Sequence, residues 1–388
     1  MTIYLDNNAT TALAPEVREA MLPCLFGDYA NPSSPHSAGM AARRLVSDAR
    51  AQVAALIGAK PADVMFTGSA TEATHAAILG ALRSLEETDH TRDHILTTAV
   101  EHPATLALFD DLRNQGWRVS VLPVNADGLP SLVDLGALVS ERTALVSMMW
   151  ANNETGVLMP VAGASAIAHA HGALFHTDAV QAAGRVAVEC GIADYLTLSA
   201  HKMHGPKGVG ALYLRKGAPF RPLVHGHQER RRHGGTENVP GIVGFGAAAS
   251  LAALWLDEAG LLGFLRDRLE SGVLARWPGA LVNGGGAARL PNTSNIRFAD
   301  GQGRPADGEE LLTRLDRAGI AVSMGAACSS GANGGGGNEP SHVLTAMGLS
   351  GAAAASSLRF SLSRYSTAAE IDAVLSELPA LHARLVAA

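Results

Sequence analysis

Cysteine is scarce in this chain of 388 residues: Cys24, Cys190 and Cys328 are the only three. Their odd number, wide spacing and lack of a CxxC pair exclude a disulfide framework and a thiolate zinc site. The histidines at His201 and His204, and at His225 and His227, come without a carboxylate or further histidine at ligand spacing, so no metal is expected. Positive charge is not in excess either. A formal net charge of -6 gives no field to gather nucleic acid or an anionic membrane, which leaves small molecules and proteins as partners. No apolar run is long enough to span a bilayer, and the opening residues carry neither a basic nor an apolar leader region, so the expected compartment is the cytoplasm. The glycosylation patterns at Asn8 and Asn292 then have no machinery to meet.

What is present is Ala, Gly, Leu and Val in quantity, with aromatics at 5%, a composition that suits an alternating α/β enzyme. The length favours two domains over one core. Short β-branched runs at Asp63–Thr67, His94–Thr98, Arg118–Leu122, Ala144–Met148, Ala173–Thr177, Tyr195–Ser199 and Gly210–Leu214 alternate with Ala/Leu-rich helical stretches. These seven runs predict a mainly parallel sheet flanked by helices. Beyond about residue 258 the pattern changes to an amphipathic helix at Leu262–Leu274, a strand at Thr293–Phe298, a helix at Glu309–Ala318, a strand at Leu358–Leu362 and a closing helix. That is a smaller α+β domain, and the expected division is 15–258 for the large unit and 1–14 plus 259–388 for the small one. The glycine-rich stretch Gly331–Asn338 predicts a mobile loop.

In open parallel sheets ligands sit beyond the carboxyl ends of the strands. The residues there are polar. Thr67-Gly-Ser-Ala-Thr71 leaves one strand and opens a helix at Glu72–Leu82, offering amides and hydroxyls to an anion, although an ordinary glycine turn with a cap reads the same way. Other strands end at Glu101-His102, at Asn152-Asn153, at Asp178 with Gln181 one turn on, and at Ser199-Ala-His-Lys202. A lone Asp or Lys is usually a solvated surface charge, but a lysine straight after an apolar strand is costly without a task. A carboxylate, an imidazole, amides and a lysine on one edge match the needs of a protonated pyridine ring, its phenolate oxygen and an aldehyde carbon.

Several blocks carry a resemblance in order along nearly the whole chain: Tyr4–Thr11, Asn31–Ser34, Phe66–Glu72, Asn152–Gly156, His201–Gly208, Gln228–Asn238, Ser323–Cys328, Glu339–Leu344 and Leu358–Leu362. Together they resemble the cysteine desulfurases of iron-sulfur cluster assembly. The resemblance implies fold-type I of the pyridoxal 5'-phosphate enzymes and a homodimer with active sites near the subunit interface. It implies that Lys202 forms the Schiff base, His102 stacks on the ring and moves protons, Asp178 pairs with the ring nitrogen, and Gln181 bonds the phenolate oxygen. Asn153 is placed near ring and substrate. Ala70, Thr71, Ser199 and His201 hold the phosphate, with Thr236 reaching across from the other subunit. Arg359 binds the carboxylate of L-cysteine, for which its planar fork suits.

Cys328 then takes the sulfur as a persulfide, L-alanine leaves, and a sulfur-acceptor or iron-sulfur scaffold protein receives the sulfur. Cys24 and Cys190 read as packed thiols. The charged run Glu229–His233 reads as a surface ion-pair cluster or, by the resemblance, as part of the dimer interface. The chain departs from the family pattern at Ala73-Thr-His75, at Ala326 and in a longer glycine-rich loop after Cys328. A selenocysteine lyase shares the cofactor residues, an aminotransferase of this fold does not need Cys328, and a partner-dependent sulfur-carrier subunit does not need the retained catalytic set.

Overall fold

The computed structural model describes residues 2–325 and 340–386. Among these residues twelve strands run in chain order: β1 (Ile3–Tyr4), β2 (Val64–Thr67), β3 (His94–Thr98), β4 (Arg118–Leu122), β5 (Thr143–Ser147), β6 (Leu174–Asp178), β7 (Tyr195–Ser199), β8 (Gly210–Leu214), β9 (Leu281–Val282), β10 (Thr293–Arg297), β11 (Ile320–Ala321) and β12 (Ser357–Ser361). Seven of them form one sheet in the order β2-β8-β7-β6-β5-β3-β4. The pairings β7-β6, β6-β5, β5-β3 and β3-β4 are parallel, whereas β8 runs antiparallel to both β7 and β2. The sheet is therefore mainly parallel, with one reversed strand near an edge.

Every residue of β3, β5, β7 and β8 is buried, because helices cover both faces and the strands need no polar side. The edge strand β4 keeps Arg118 and Val121 exposed. Since β2 and β7 both run against β8, the carboxyl ends of β2, β3, β5, β6 and β7 all reach the same edge of the sheet. That edge is where the polar sequence was found.

Helix Ala70–Thr88 starts two residues earlier than the sequence indicates. Ser69 caps it by accepting from the Glu72 amide, and Glu72 Oε2 accepts in return from the Gly68 amide. Gly210 passes close behind this turn: a Cβ there would lie 2.4 Å from the Ser69 carbonyl carbon, so the site needs glycine.

A separate hydrophobic cluster joins Leu5 to Leu265, Trp277, Phe298, Leu358, Phe360 and Leu378. It lies between helices Ala259–Arg276, Gly308–Arg317 and Ala368–Val386 and the antiparallel sheet β12-β10-β9. The start of the chain is woven into it, since β1 pairs parallel with β11 and Asp6 bridges to Ser361. Among the described residues no single helix is long and apolar enough to cross a membrane.

Candidate active site

A cavity of about 410 Å³ opens at the carboxyl edge of the large sheet. The predicted residues Ala70, Thr71, His102, Asn153, Asp178, Gln181, Ser199, His201, Lys202 and Arg359 all line it. Thr236 does not. It lies in a neighbouring depression with Glu72, Glu229 and His233, separated by Gly208 and Val209, which face both. Cys328 lies outside the described residues, as does the loop Gly331–Asn338. Gly325 and Ser341, on either side of that interval, both sit against Glu154, next to Asn153: Ser341 Oγ donates to Glu154 Oε2 at 2.5 Å.

The first amides of an α-helix have no intrahelical acceptor, so the N–H groups of Ala70 and Thr71 are available to an anion at the mouth of helix Ala70–Thr88. His102 caps the next helix, Pro103–Asn114, with Nδ1 accepting from the Ala104 amide at 3.2 Å. A neutral ring used this way carries its proton on Nε2. Burial first, then the charges of Lys202 and His342, push the His102 pKa down to about 4. It is therefore a neutral ring at ordinary pH.

Asp178 ends β6 and accepts from the Val180 amide at 2.9 Å. Burial raises its pKa to about 6, against the opposing amide bond and the charge of Lys202. A carboxylate so placed gains most from a cationic partner inside the cavity. Glu101, fully buried beside it, is pushed up to about 8 by burial, although Met149 and Thr98 both donate to its Oε1.

Lys202 Nζ donates to the carbonyls of Asn8 and, at 2.9 Å, Ala9. Gln181 Nε2 donates to the same Asn8 carbonyl at 3.0 Å. The Asn8 side chain reaches the Asn153 carbonyl at 3.1 Å and Thr293 Oγ1 at 2.9 Å. Arg359, on β12, donates to the Asn153 carbonyl at 3.0 Å and to Asp6 at 2.6 Å, while its buried Nε has no partner among the described residues. A forked donor thus stands in the cavity wall with its Nε–H unmatched among the described residues.

Asn8, Ala9 and Lys207 also line the cavity, and Asp6 pairs with Arg359, although the sequence assigns none of them a role. The polar run Asp6-Asn-Asn-Ala-Thr-Thr11 was the available signal. Burial raises the thiol pKa of Cys24 and of Cys190, which makes both poor nucleophiles. Within the charged run, Glu229 pairs with Arg50 through bonds of 2.5 and 2.8 Å and accepts from the Phe66 amide, and His233 pairs with Glu72. Both contacts lie within the chain. No three potential ligands gather to hold a metal among the described residues.

The sheet, the lysine at its edge and the amide-lined cavity define a class that the family comparison identifies: residues 3–374 match the model described as aminotransferase class-V, and the chain belongs to that family. A curated cysteine desulfurase from Cereibacter sphaeroides is 52% identical over 97% of this chain and 95% of its own length. A solved NifS-like protein superposes with a TM-score of 0.90 at 36% identity, covering 99% of this chain and 100% of that one. A second solved structure, SspA in complex with cysteine, gives a TM-score of 0.79 at 32% identity over 94% of this chain and 100% of that one. Within the class-V family, these relatives place the chain among the cysteine desulfurases.

Proposed function

We propose that the protein is a pyridoxal 5'-phosphate-dependent cysteine desulfurase that converts L-cysteine to L-alanine and carries the sulfur as a persulfide on Cys328. The observation that carries this reading is the convergence of Lys202, Asp178, His102, Gln181 and Arg359 on one cavity. The residues fit the cofactor by their chemistry. A lysine amine suits the aldehyde, a buried carboxylate suits a ring N–H, and the amides of Ala70 and Thr71 with Ser199 and His201 suit a phosphate. When bound, the cofactor supplies an electron sink that weakens the substrate's Cα–H and Cβ–S bonds.

The protein's own groups do the rest. Asp178 would hold the proton of the ring nitrogen, Gln181 would donate to the phenolate oxygen, and His102 would stack on the ring and move protons. The Asn8 and Ala9 carbonyls would hold the Lys202 amine in place beside the cofactor. Arg359 and Asn153 bind and orient the cysteine carboxylate, which Arg359 meets as a fork. Cys328 takes the sulfur and delivers it to a sulfur-acceptor or iron-sulfur scaffold protein.

The reading includes a cytoplasmic homodimer in which Thr236 completes the phosphate site of the other subunit, a role supported by its absence from the cavity of its own chain. It also takes 15–258 and 1–14 plus 259–388 as the two domains, a division supported by the separate cluster that joins Leu5 to residues beyond 264. The test is cysteine with a thiol reductant, following sulfide and alanine in the parent and in Cys328→Ala. Equal yields of the two products in the parent, with sulfide release lost and the cofactor colour kept in the variant, support the reading. Equal turnover by both proteins removes Cys328 from the mechanism and favours a selenocysteine-directed lyase.

A further inference from the structure

Arg185 stands one turn beyond Gln181 and is 8% exposed. Its Nη1 donates to the Gln181 carbonyl at 2.8 Å and also to Gln181 Oε1. Its Nη2 donates to the Lys202 carbonyl at 3.2 Å and reaches the Asn7 carbonyl at 3.4 Å. No carboxylate among the described residues pairs with it, so its charge is met by carbonyl dipoles alone. Burial, and secondly the charge of Arg359, push its pKa down to about 9. A cation held this way is expensive, and an apolar side chain would fill the space more cheaply.

An arginine can do here what an apolar residue cannot. The two ends of a glutamine amide are nearly equal in shape and opposite in hydrogen-bonding sense. Because Oε1 receives the Arg185 proton, Nε2 is turned the other way, where one hydrogen goes to the Asn8 carbonyl and the second remains for the cavity that Gln181 lines.

We propose that Arg185 is a positioning residue: through Gln181 Oε1 and the Lys202 carbonyl it locks the Gln181 amide with its N–H toward the cofactor's phenolate oxygen, in register with the lysine that bears the cofactor. The inference rests on the cofactor reading above. With the lock removed, the amide can present its oxygen instead. A negative dipole facing the phenolate favours the protonated form of the Lys202–cofactor linkage, so that form persists to higher pH.

The experiment follows the visible absorbance of bound pyridoxal phosphate, without substrate, as pH is raised through the neutral and alkaline range. The proteins are the parent, Arg185→Met, Arg185→Lys, Gln181→Leu and the double variant Arg185→Met/Gln181→Leu. Both Arg185 variants are expected to raise the absorbance midpoint, by up to about one pH unit, the size of a single hydrogen bond. Lysine keeps the charge and loses the fork, so a parental midpoint in Arg185→Lys means that charge alone acts and overturns the proposal. The double variant is expected to match Gln181→Leu; a further additive shift means that Arg185 does not act through Gln181 and also overturns it. If Arg185→Met does not fold, Arg185→Lys/Gln181→Leu runs the same cycle at constant charge. A parent that binds no pyridoxal phosphate at all overturns the cofactor reading itself, which separates the two failures.

Discussion

His176 lies in the middle of β6, completely buried, and its ring links Ser147 of β5, at 2.8 Å from Nδ1, to Thr197 of β7, at 2.9 Å from Nε2. Thr74, in the cavity wall, donates on to Thr197 at 3.3 Å. The chain of bonds crosses three strands directly beneath the site and ends at its lining. Burial lowers the His176 pKa from 6.5 to about 3. Because the folded value is the lower one, the unfolded chain takes up the proton first as pH falls. The stability owed to this group is intact above about pH 6.5 and drains away as pH drops toward 3. Between about pH 7.5 and about pH 5 the loss is about 2 kcal/mol, from roughly one and a half pH units at about 1.4 kcal/mol each. His176→Gln has no such titration. The variant should be about 1 to 2 kcal/mol less stable at the higher pH, from poorer packing, and should close most of that gap at the lower one. Urea unfolding at the two pH values, by far-UV circular dichroism with cofactor present, measures the difference of differences. Equal acid losses in parent and variant would show that His176 protonates in place, and the argument from burial would fail.

Three other perturbations bear on the site. Arg359→Lys replaces a planar fork by a point charge and should lower kcat/KM for cysteine about 30- to 100-fold, with the cofactor spectrum unchanged; a loss below about threefold would remove Arg359 from substrate binding. Asp6→Asn leaves a guanidinium that is 2% exposed without its carboxylate partner, and should lower stability by about 2 kcal/mol, read as a fall in the urea midpoint at neutral pH. An unchanged midpoint there would mean that water or Asn153 already satisfies Arg359. Gly210→Ala forces the Ser69–Ala70 turn to move and should weaken pyridoxal phosphate binding about tenfold or more in a fluorescence titration, while the helical signal of the free protein persists. Parental affinity would mean that this turn does not hold the phosphate.

Four of the seven sheet strands, β3, β4, β7 and β8, begin and end at the residues the sequence indicates, because buried strands bounded by turns leave a sharp contrast in side-chain type. The runs at Ala144 and Ala173 are displaced by one residue, in opposite directions, since Ala and Met fit either side of a strand end. Helix Ala70–Thr88 begins at Ala70 because Ser69, not the glycine before it, supplies the cap, and this places Ala70 and Thr71 in the first turn where their amides are open. His102, Asn153, Asp178, Gln181 and Lys202 stood out because they lie at or just beyond strand ends, whereas Arg359, inside β12, came from the family resemblance alone. Asp6 and Asn8 did not stand out, since their partners Arg359, Thr293, Gln181 and Lys202 are some 170 to 350 residues away in the chain. Neither periodicity nor local spacing reports a contact of that kind.

That long-range segment ties the lysine at the sheet edge to the rest of the site. Lys202 Nζ rests on the Asn8 and Ala9 carbonyls through charge-assisted bonds, and its charge also acts on the buried Asp178. The Asn8 carbonyl also receives Gln181, and the Asn8 side chain is bonded to Asn153 and to Thr293 at the start of β10, the strand that pairs with Arg359's own β12. Under the proposed function, a substrate carboxylate that draws on Arg359 would act on a group already tied to the Asn153 carbonyl, and through Asn8 to the resting place of the lysine. On that reading the segment Asp6–Thr11 would join substrate recognition on the small sheet to the chemistry on the large one, so a change at Asp6 or Asn8 should disturb both together, whereas a change confined to His102 or Asp178 should leave Arg359 in place.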